Sequence, residues 1–145
     1  MTDRMIFSEE QELQQKIIKG INVLADNVAA TLGPKGQNIL LKEKDKAPFI
    51  TKDGVTVAHF VHLEDPIENA AAQILKQAAI ETNANAGDGT TTSTVLARAL
   101  VNEAQKFMIA GVPPIELQRC LIESLKVVIE ELKSSSIPVK SIDDI

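Results

Sequence analysis

The sequence predicts a mainly α-helical architecture with one small β-hairpin. Three observations predict it. Apolar residues recur at spacings of three and four in four separate stretches, as in helices that bury one face. Each stretch is bounded by Gly, Pro or a capping side chain. Strand-like content is concentrated in two short runs within residues 37–51.

The first helix is expected to open at Ser8, which stands three residues before Gln11 in a capping-box pattern. Leu13, Ile17, Ile21, Leu24, Val28 and Leu32 follow as one apolar stripe, and Gly33-Pro34 stops it, because Pro cannot continue a helix. Ile39, Leu40 and Leu41 read as one short strand and Phe49-Ile50-Thr51 as its partner, joined through charged turn residues 43–46 and Pro48. Thr51-Lys52-Asp53-Gly54 is a turn. Residues 55–63 fit a strand or a short helix, and the alternation of Val55, Val57 and Val61 favours the strand.

Asp65-Pro66 starts the second long helix, Asp as cap and Pro in the first helical position. Its expected buried stripe is Ile67, Ala71, Ile74, Leu75 and Ala78. The polar run Thr82-Asn83-Ala84-Asn85 should loosen it before Gly87. Gly89 or Thr90 opens the third, with Val95, Leu96, Ala99, Leu100, Glu103 and Phe107 in period and a stop before Gly111. Pro113-Pro114 opens the fourth, whose expected core face is Leu117, Leu121, Leu125, Val128 and Leu132. Ser134-Ser135-Ser136 and Pro138 end it.

Composition narrows the function classes. The chain has 145 residues, 15 Lys plus Arg against 20 Asp plus Glu, and a net charge of −5. That balance disfavours a general nucleic-acid binder, which needs clustered cations for phosphate. The absence of Trp and Tyr, with only 4 Phe, leaves no aromatic platform for stacking bases. No stretch approaches the ~20 apolar residues that span a membrane. The opening residues MTDRMIFSEEQE lack the basic and then apolar pattern of a signal peptide, so the expected location is cytoplasmic. The single cysteine, Cys120, suits a reducing compartment and reads as a small core residue.

Three segments could carry chemistry. In Gly87-Asp88-Gly89-Thr90-Thr91-Thr92-Ser93-Thr94, hydroxyl residues crowd the first turn of a helix. Free N–H groups and the positive dipole end attract phosphate there. Asp88 beside such an anion calls for a bridging cation, and magnesium prefers a carboxylate, phosphate oxygens and water. The alternative is that Asp88 only caps the helix. Thr31-Leu32-Gly33-Pro34-Lys35-Gly36 sits at a helix C-terminus, the wrong end for a phosphate cradle, and fails the P-loop pattern. By itself it reads as a helix stop whose glycines permit close backbone approach. In Thr51-Lys52-Asp53-Gly54, Lys52 could pair with phosphate and Asp53 could position a water, but Asp-Gly is also a common turn pair. His59 and His62 lack a second His or Cys pair, which disfavours zinc.

Together these segments are far more specific than any one of them. Thr31-Leu32-Gly33-Pro34-Lys35-Gly36, Thr51-Lys52-Asp53-Gly54-Val55 and Ala86-Gly87-Asp88-Gly89-Thr90-Thr91-Thr92, in this order and spacing, resemble the group I chaperonins (the GroEL family). The resemblance extends through Asn22-Val23-Leu24-Ala25-Asp26, Leu63-Glu64-Asp65, Thr94-Val95-Leu96-Ala97 and Glu130-Glu131-Leu132-Lys133, nearly the whole chain. It implies an incomplete equatorial-domain-like helical bundle. Residues 1–137 would be the N-terminal part of the equatorial ATP-binding domain, and 138–145 the start of the connection to the intermediate domain.

The resemblance also implies an ATP-dependent protein-folding chaperone and a set of roles. Thr31, Leu32, Gly33 and Pro34 would contact ATP, with Lys52 nearby. Asp88 would hold Mg2+, and Gly89, Thr90, Thr91 and Thr92 would grip the phosphates. Asp53 would help orient the attacking water. Backbone oxygens of Thr31 and Lys52, with the Thr91 hydroxyl, are candidates for K+. The family's principal catalytic aspartate belongs to the intermediate domain, outside the matched span. The expectation for these residues alone is therefore half of a Mg-ATP site, with weak binding and negligible hydrolysis. Expected partners are other chaperonin subunits in a ring homo-oligomer. Unfolded polypeptide and co-chaperonin would bind through domains beyond the span. Gln37 departs from the family's usual Arg and loses a fixed charge near the hairpin. The competing reading is a non-hydrolysing helical module that docks to a chaperonin ring.

Overall fold

The computed structural model describes residues 10–43, 46–139 and 141. The expected helix start at Ser8, residues 44–45 of the hairpin turn, and residues 140 and 142–145 of the C-terminal connection lie outside the described residues. The chain divides into two compact units, Met1–Asn102 and Glu103–Ile145.

In the first unit, the apolar stripe of α1 (Glu10–Ala29) is buried over its middle and not at its ends: Leu13 is exposed, and Leu32 is exposed beyond the end of the helix. Ile21, Leu24 and Val28 are buried, and Ala25 beside them leaves room for close packing. Their partners are Ala71, Ala72 and Leu75 of α3 (Pro66–Ala86), named after α2 (Gly54–Phe60), which adds Val57 and Ala58. Where α1 crosses α3 there is no side-chain cushion. A Cβ on Gly20 would lie 2.1 Å from the Glu68 carbonyl oxygen, so only glycine fits. Lys16 to Asp65 at 3.0 Å and Lys19 to Glu68 at 2.6 Å flank the crossing.

The hairpin pairs β1 (Ile39–Leu41) with β2 (Phe49–Thr51) antiparallel, Ile39 opposite Thr51 and Leu41 opposite Phe49. Ile39 packs on the core, whereas Leu40 and Ile50 face outward. The segment after it is helical, which corrects the leaning toward a strand. Adjacent residues Val57 and Ala58 are both buried, and a strand would turn them to opposite faces.

α3 begins as expected, with the Asp65 carboxylate accepting from Ile67 N and Glu68 N. The polar run at its end does not loosen it: Thr82 Oγ1 donates back to the Ala78 carbonyl, and the helix runs intact to a left-handed Gly87. Its stripe is shifted from expectation. Ala71 and Leu75 are buried, but Ile74 is 70% exposed, and Glu68, Ala72, Lys76 and Ala79 complete the inner face.

The opening turns of α4 (Thr90–Ile109) also present a different face from the one expected. Leu96 and Leu100 are exposed, while Thr90, Thr94, Ala97 and Val101 turn inward. Thr94 can be fully buried because its hydroxyl donates to the Thr90 carbonyl at 2.8 Å, which removes the cost of a hidden polar group. Arg98 pairs with Asp26, and Asn102 with Asn22, tying this segment to α1.

The second unit holds the end of α4, a turn at Gly111 (φ 93°) and α5 (Pro114–Ser135). Gly111 N donates to Met108 O and Val112 N to Phe107 O, a helix-ending pair that needs a left-handed residue. Phe107 is exposed, contrary to its place in the expected stripe. So is the expected core face of α5: Leu121, Leu125, Val128 and Leu132 are exposed, Leu117 is half-buried, and no described residue of α5 is buried. Cys120 is exposed rather than a core residue. An apolar stripe states which face gains from burial; it does not supply the surface that covers it. Among the described residues no helix is long and apolar enough to cross a membrane.

Candidate functional site

All three candidate segments belong to the first unit, each at the end of a helix. The first closes the C-terminus of α1. Thr31 donates to the Val28 carbonyl from both its backbone N (3.1 Å) and its hydroxyl (2.8 Å). Gly33 is left-handed at φ 74°, Gly36 N donates to Gly33 O, and Gln37 N donates to Ala30 O at 2.7 Å. The loop is so tight that a Cβ on Gly36 would lie 2.2 Å from the Thr31 carbonyl oxygen. Leu32 and Pro34 are exposed on its outer side.

The second segment connects β2 to α2. Thr51 Oγ1 accepts from Asp53 N, a turn that points the next carboxylate at the helix. Asp53 Oδ2 accepts from Thr56 Oγ1 at 2.5 Å and from Thr56 N at 2.9 Å, and so caps α2. The Thr56 hydroxyl, then the backbone donors, hold the Asp53 carboxyl below its ordinary value. Lys52 is exposed and makes no ion pair among the described residues.

The third segment joins α3 to α4 through two left-handed glycines, Gly87 (φ 72°) and Gly89 (φ 80°), with exposed Asp88 between them. Asp88 Oδ1 accepts from Gly89 N at 2.7 Å. Gly89 occupies the cap position but has no side chain to offer the first turn of α4. The first-turn N–H groups therefore have no side-chain cap and face the same end as the exposed carboxylate. Thr90 is buried, Thr91 half-buried and Thr92 exposed.

At Gly54 the second and third segments meet beside the last turn of α1. A Cβ there would lie 2.2 Å from Thr91 Oγ1 and 3.3 Å from Val28 Cγ1. The start of α2, the start of α4 and the last turn of α1 are thus in direct contact, and Thr31 is bonded to that same Val28. The structure brings Gly54 against Thr91 and against Val28, the residue whose carbonyl accepts from Thr31. It makes no hydrogen bond or ion pair among Lys52, Asp53 and Asp88. Of the residues considered for potassium, Thr91 turns its hydroxyl to Gly54, while the Thr31 carbonyl faces Gly36.

Sequence reasoning missed Gly54 as a contact residue. The available signal was a glycine in the first turn of a capped helix, where Ala would be the better helix former. No group of three or more His, Cys, Asp and Glu gathers among the described residues. A cation at the α4 start would therefore take Asp88 as a single protein carboxylate, which fits magnesium completed by phosphate oxygens and water better than a caged metal.

The model of the TCP-1/cpn60 chaperonin family matches residues 24–144. The match begins within α1, contains all three loops and extends past α5.

Proposed function

The chain belongs to the TCP-1/cpn60 chaperonin family, and from that premise we propose that its three converging helix ends form the phosphate-and-magnesium side of an ATP site. Membership carries a chaperone role and assembly with other chaperonin subunits. The nucleotide reading goes further, and the contact of Gly54 with Thr91 and Val28 is the observation that carries it. Two loops far apart along the chain touch there, beside the helix turn that leads into the third.

In this reading the N–H groups of Thr90, Thr91 and Thr92 donate to phosphate oxygens, assisted by the helix dipole and the threonine hydroxyls. Asp88 would hold magnesium, whose charge would offset that of the phosphates. Gly33 and Gly36 keep the Thr31 to Pro34 loop flat enough for backbone approach to the nucleotide. Lys52 extends from the β2 end toward solvent as a cation for the phosphate tail. Asp53 is held ionised by Thr56, the state needed to accept a hydrogen bond from an attacking water. Backbone oxygens of Thr31 and Lys52 with the Thr91 hydroxyl are the candidate potassium ligands.

The test is calorimetric titration of Mg-ATP into the 145-residue chain and into Asp88→Ala, with helix content checked by circular dichroism. Loss of magnesium-dependent binding in a folded variant is the expected result. Equal affinity in the two proteins would remove Asp88 from the site. A second reading, a helical module that docks on a chaperonin ring without nucleotide chemistry, is favoured by the exposed apolar face of α5. It predicts no magnesium-dependent ATP binding by the parent chain.

A further inference from the structure

α2 is a short rod with the nucleotide loops at one end and a buried lysine at the other. Its 7 residues span about 10 Å. At its start, Asp53 caps the helix and Gly54 lies against Thr91. At its finish, the His59 carbonyl accepts from Lys76 Nζ of α3 at 3.3 Å, and the Ala58 carbonyl accepts from Val61 N at 3.4 Å. The Lys76 bond is the one hydrogen bond that joins α2 to α3 among the described residues.

Lys76 is an unusual choice for its place. It stands on the inner face of α3 at 6% exposure, with Ala72 and Ala79 one turn away on either side. The ammonium carries three donors and meets one acceptor, and no carboxylate pairs with it among the described residues. Burial pulls its pKa below 10.5. An apolar side chain of similar volume commonly serves a fold as well as a buried charge, or better. What it cannot do is donate to a carbonyl at a helix C-terminus, where the negative dipole end also attracts a cation. Stability gives no reason for lysine here, whereas the direction of its hydrogen bond does.

Three connections lead from this bond to the nucleotide loops. Through α2 it reaches Gly54, whose contact with Thr91 is too close to admit a methyl. Through α3, unbroken from Lys76 to the Gly87 cap, it reaches the loop of Asp88. Phe49 of β2 packs edge-to-face on Phe60, ring centroids 5.3 Å apart, so the strand that leads to Lys52 is tied to the same end of α2. The apolar residues that α2 buries, Val57 and Ala58, hold it by contacts without direction. The bond to Lys76 adds a directional restraint.

We propose that Lys76 is a positioning residue for the nucleotide site: its hold on the His59 carbonyl sets how closely the Gly54 end of α2 stands to Thr91, and through that spacing the affinity for Mg-ATP. This inference rests on the nucleotide reading above. Lys76 acts through α2 and not as a ligand.

The test compares the 145-residue chain with Lys76→Met and Lys76→Arg. Calorimetric titration gives the Mg-ATP affinity, and 15N–1H NMR spectra follow the Gly54 and Thr91 amides without nucleotide. Urea unfolding checks that both variants are folded. Methionine keeps the bulk and loses the donor, so affinity should fall roughly threefold to tenfold, with the Gly54 and Thr91 resonances displaced. Arginine keeps a charged donor and should restore most of the affinity and the parent resonances. A merely structural lysine would change the unfolding midpoint and leave the folded variant's affinity at the parent value. That result overturns the proposal, as do amide changes confined to the neighbourhood of residues 59 and 76, or an arginine variant as weak as the methionine one. If the parent chain itself binds no Mg-ATP, the nucleotide reading fails and this inference falls with it. A parent that binds, beside a methionine variant that binds equally well, removes the role of Lys76 alone.

Discussion

Replacing Gly54 with alanine tests the junction on which the nucleotide reading stands. The new methyl would lie 2.2 Å from Thr91 Oγ1 and 3.3 Å from Val28 Cγ1, whereas ordinary contact begins near 3.4 Å. The helix ends must therefore separate by more than an ångström, or Thr91 must leave its rotamer against a fully buried Val28. Overpacking of this kind costs about 1–3 kcal/mol. Gly→Ala in a helix returns at most about 1 kcal/mol, and less in the first turn. The net expectation is a loss of about 1–2 kcal/mol, read by urea unfolding at 222 nm. Adding Thr91→Ser, which keeps the hydroxyl, should relieve little, whereas Thr91→Ala should restore about 1 kcal/mol through coupling of the two sites. Mg-ATP affinity should fall with the spacing, independently of that stability loss. An alanine variant as stable as the parent, with no coupling to Thr91, would show that the contact does not constrain these helices.

Three further expectations follow from the same geometry. Gly20→Ala places a methyl 2.1 Å from a backbone carbonyl that cannot rotate away, and should cost more than about 2 kcal/mol in the same unfolding assay. Asp53→Ala removes the α2 cap at a cost of about 1 kcal/mol. Because folding lowers the Asp53 pKa, its contribution is present above the ordinary value of 3.8 and fades as pH falls through the folded value. Acid titration of stability should show that loss in the parent and not in the variant. Burial lowers the Lys76 pKa below 10.5, so the unfolded chain binds more protons between the folded value and 10.5, and stability should rise with pH there. Lys76→Met should abolish that rise and change stability at neutral pH by no more than about 1 kcal/mol, one weak hydrogen bond being exchanged for the removal of a buried charge.

The long helices were legible because their ends carry strong local chemistry, such as Asp65-Pro66 and Gly87, and because their faces repeat with the helical period. Seven residues at α2 are too few for periodicity to decide, and burial of Val57 beside Ala58 decided instead. The inner face of α4 was misjudged because Thr94 counts as polar in the sequence, although its hydroxyl is satisfied within the helix. The α5 stripe was recognisable, yet nothing along the chain said whether a covering surface lies among these residues. The three loop motifs were legible as strings. Their meeting point was not, because it depends on a hydrogen atom at Gly54 in place of a methyl.

The Gly20 notch against Glu68 has a mechanical consequence. With backbone resting on backbone, α1 cannot slide lengthwise along α3 unless a larger residue of the same face, Lys16 or Ile17 on one side and Val23 or Leu24 on the other, rides over the ridge, so shear between these helices is opposed. Rotation about that point remains open. Any rearrangement that begins at the far ends of the two helices would pass through the notch as a lever passes through its pivot.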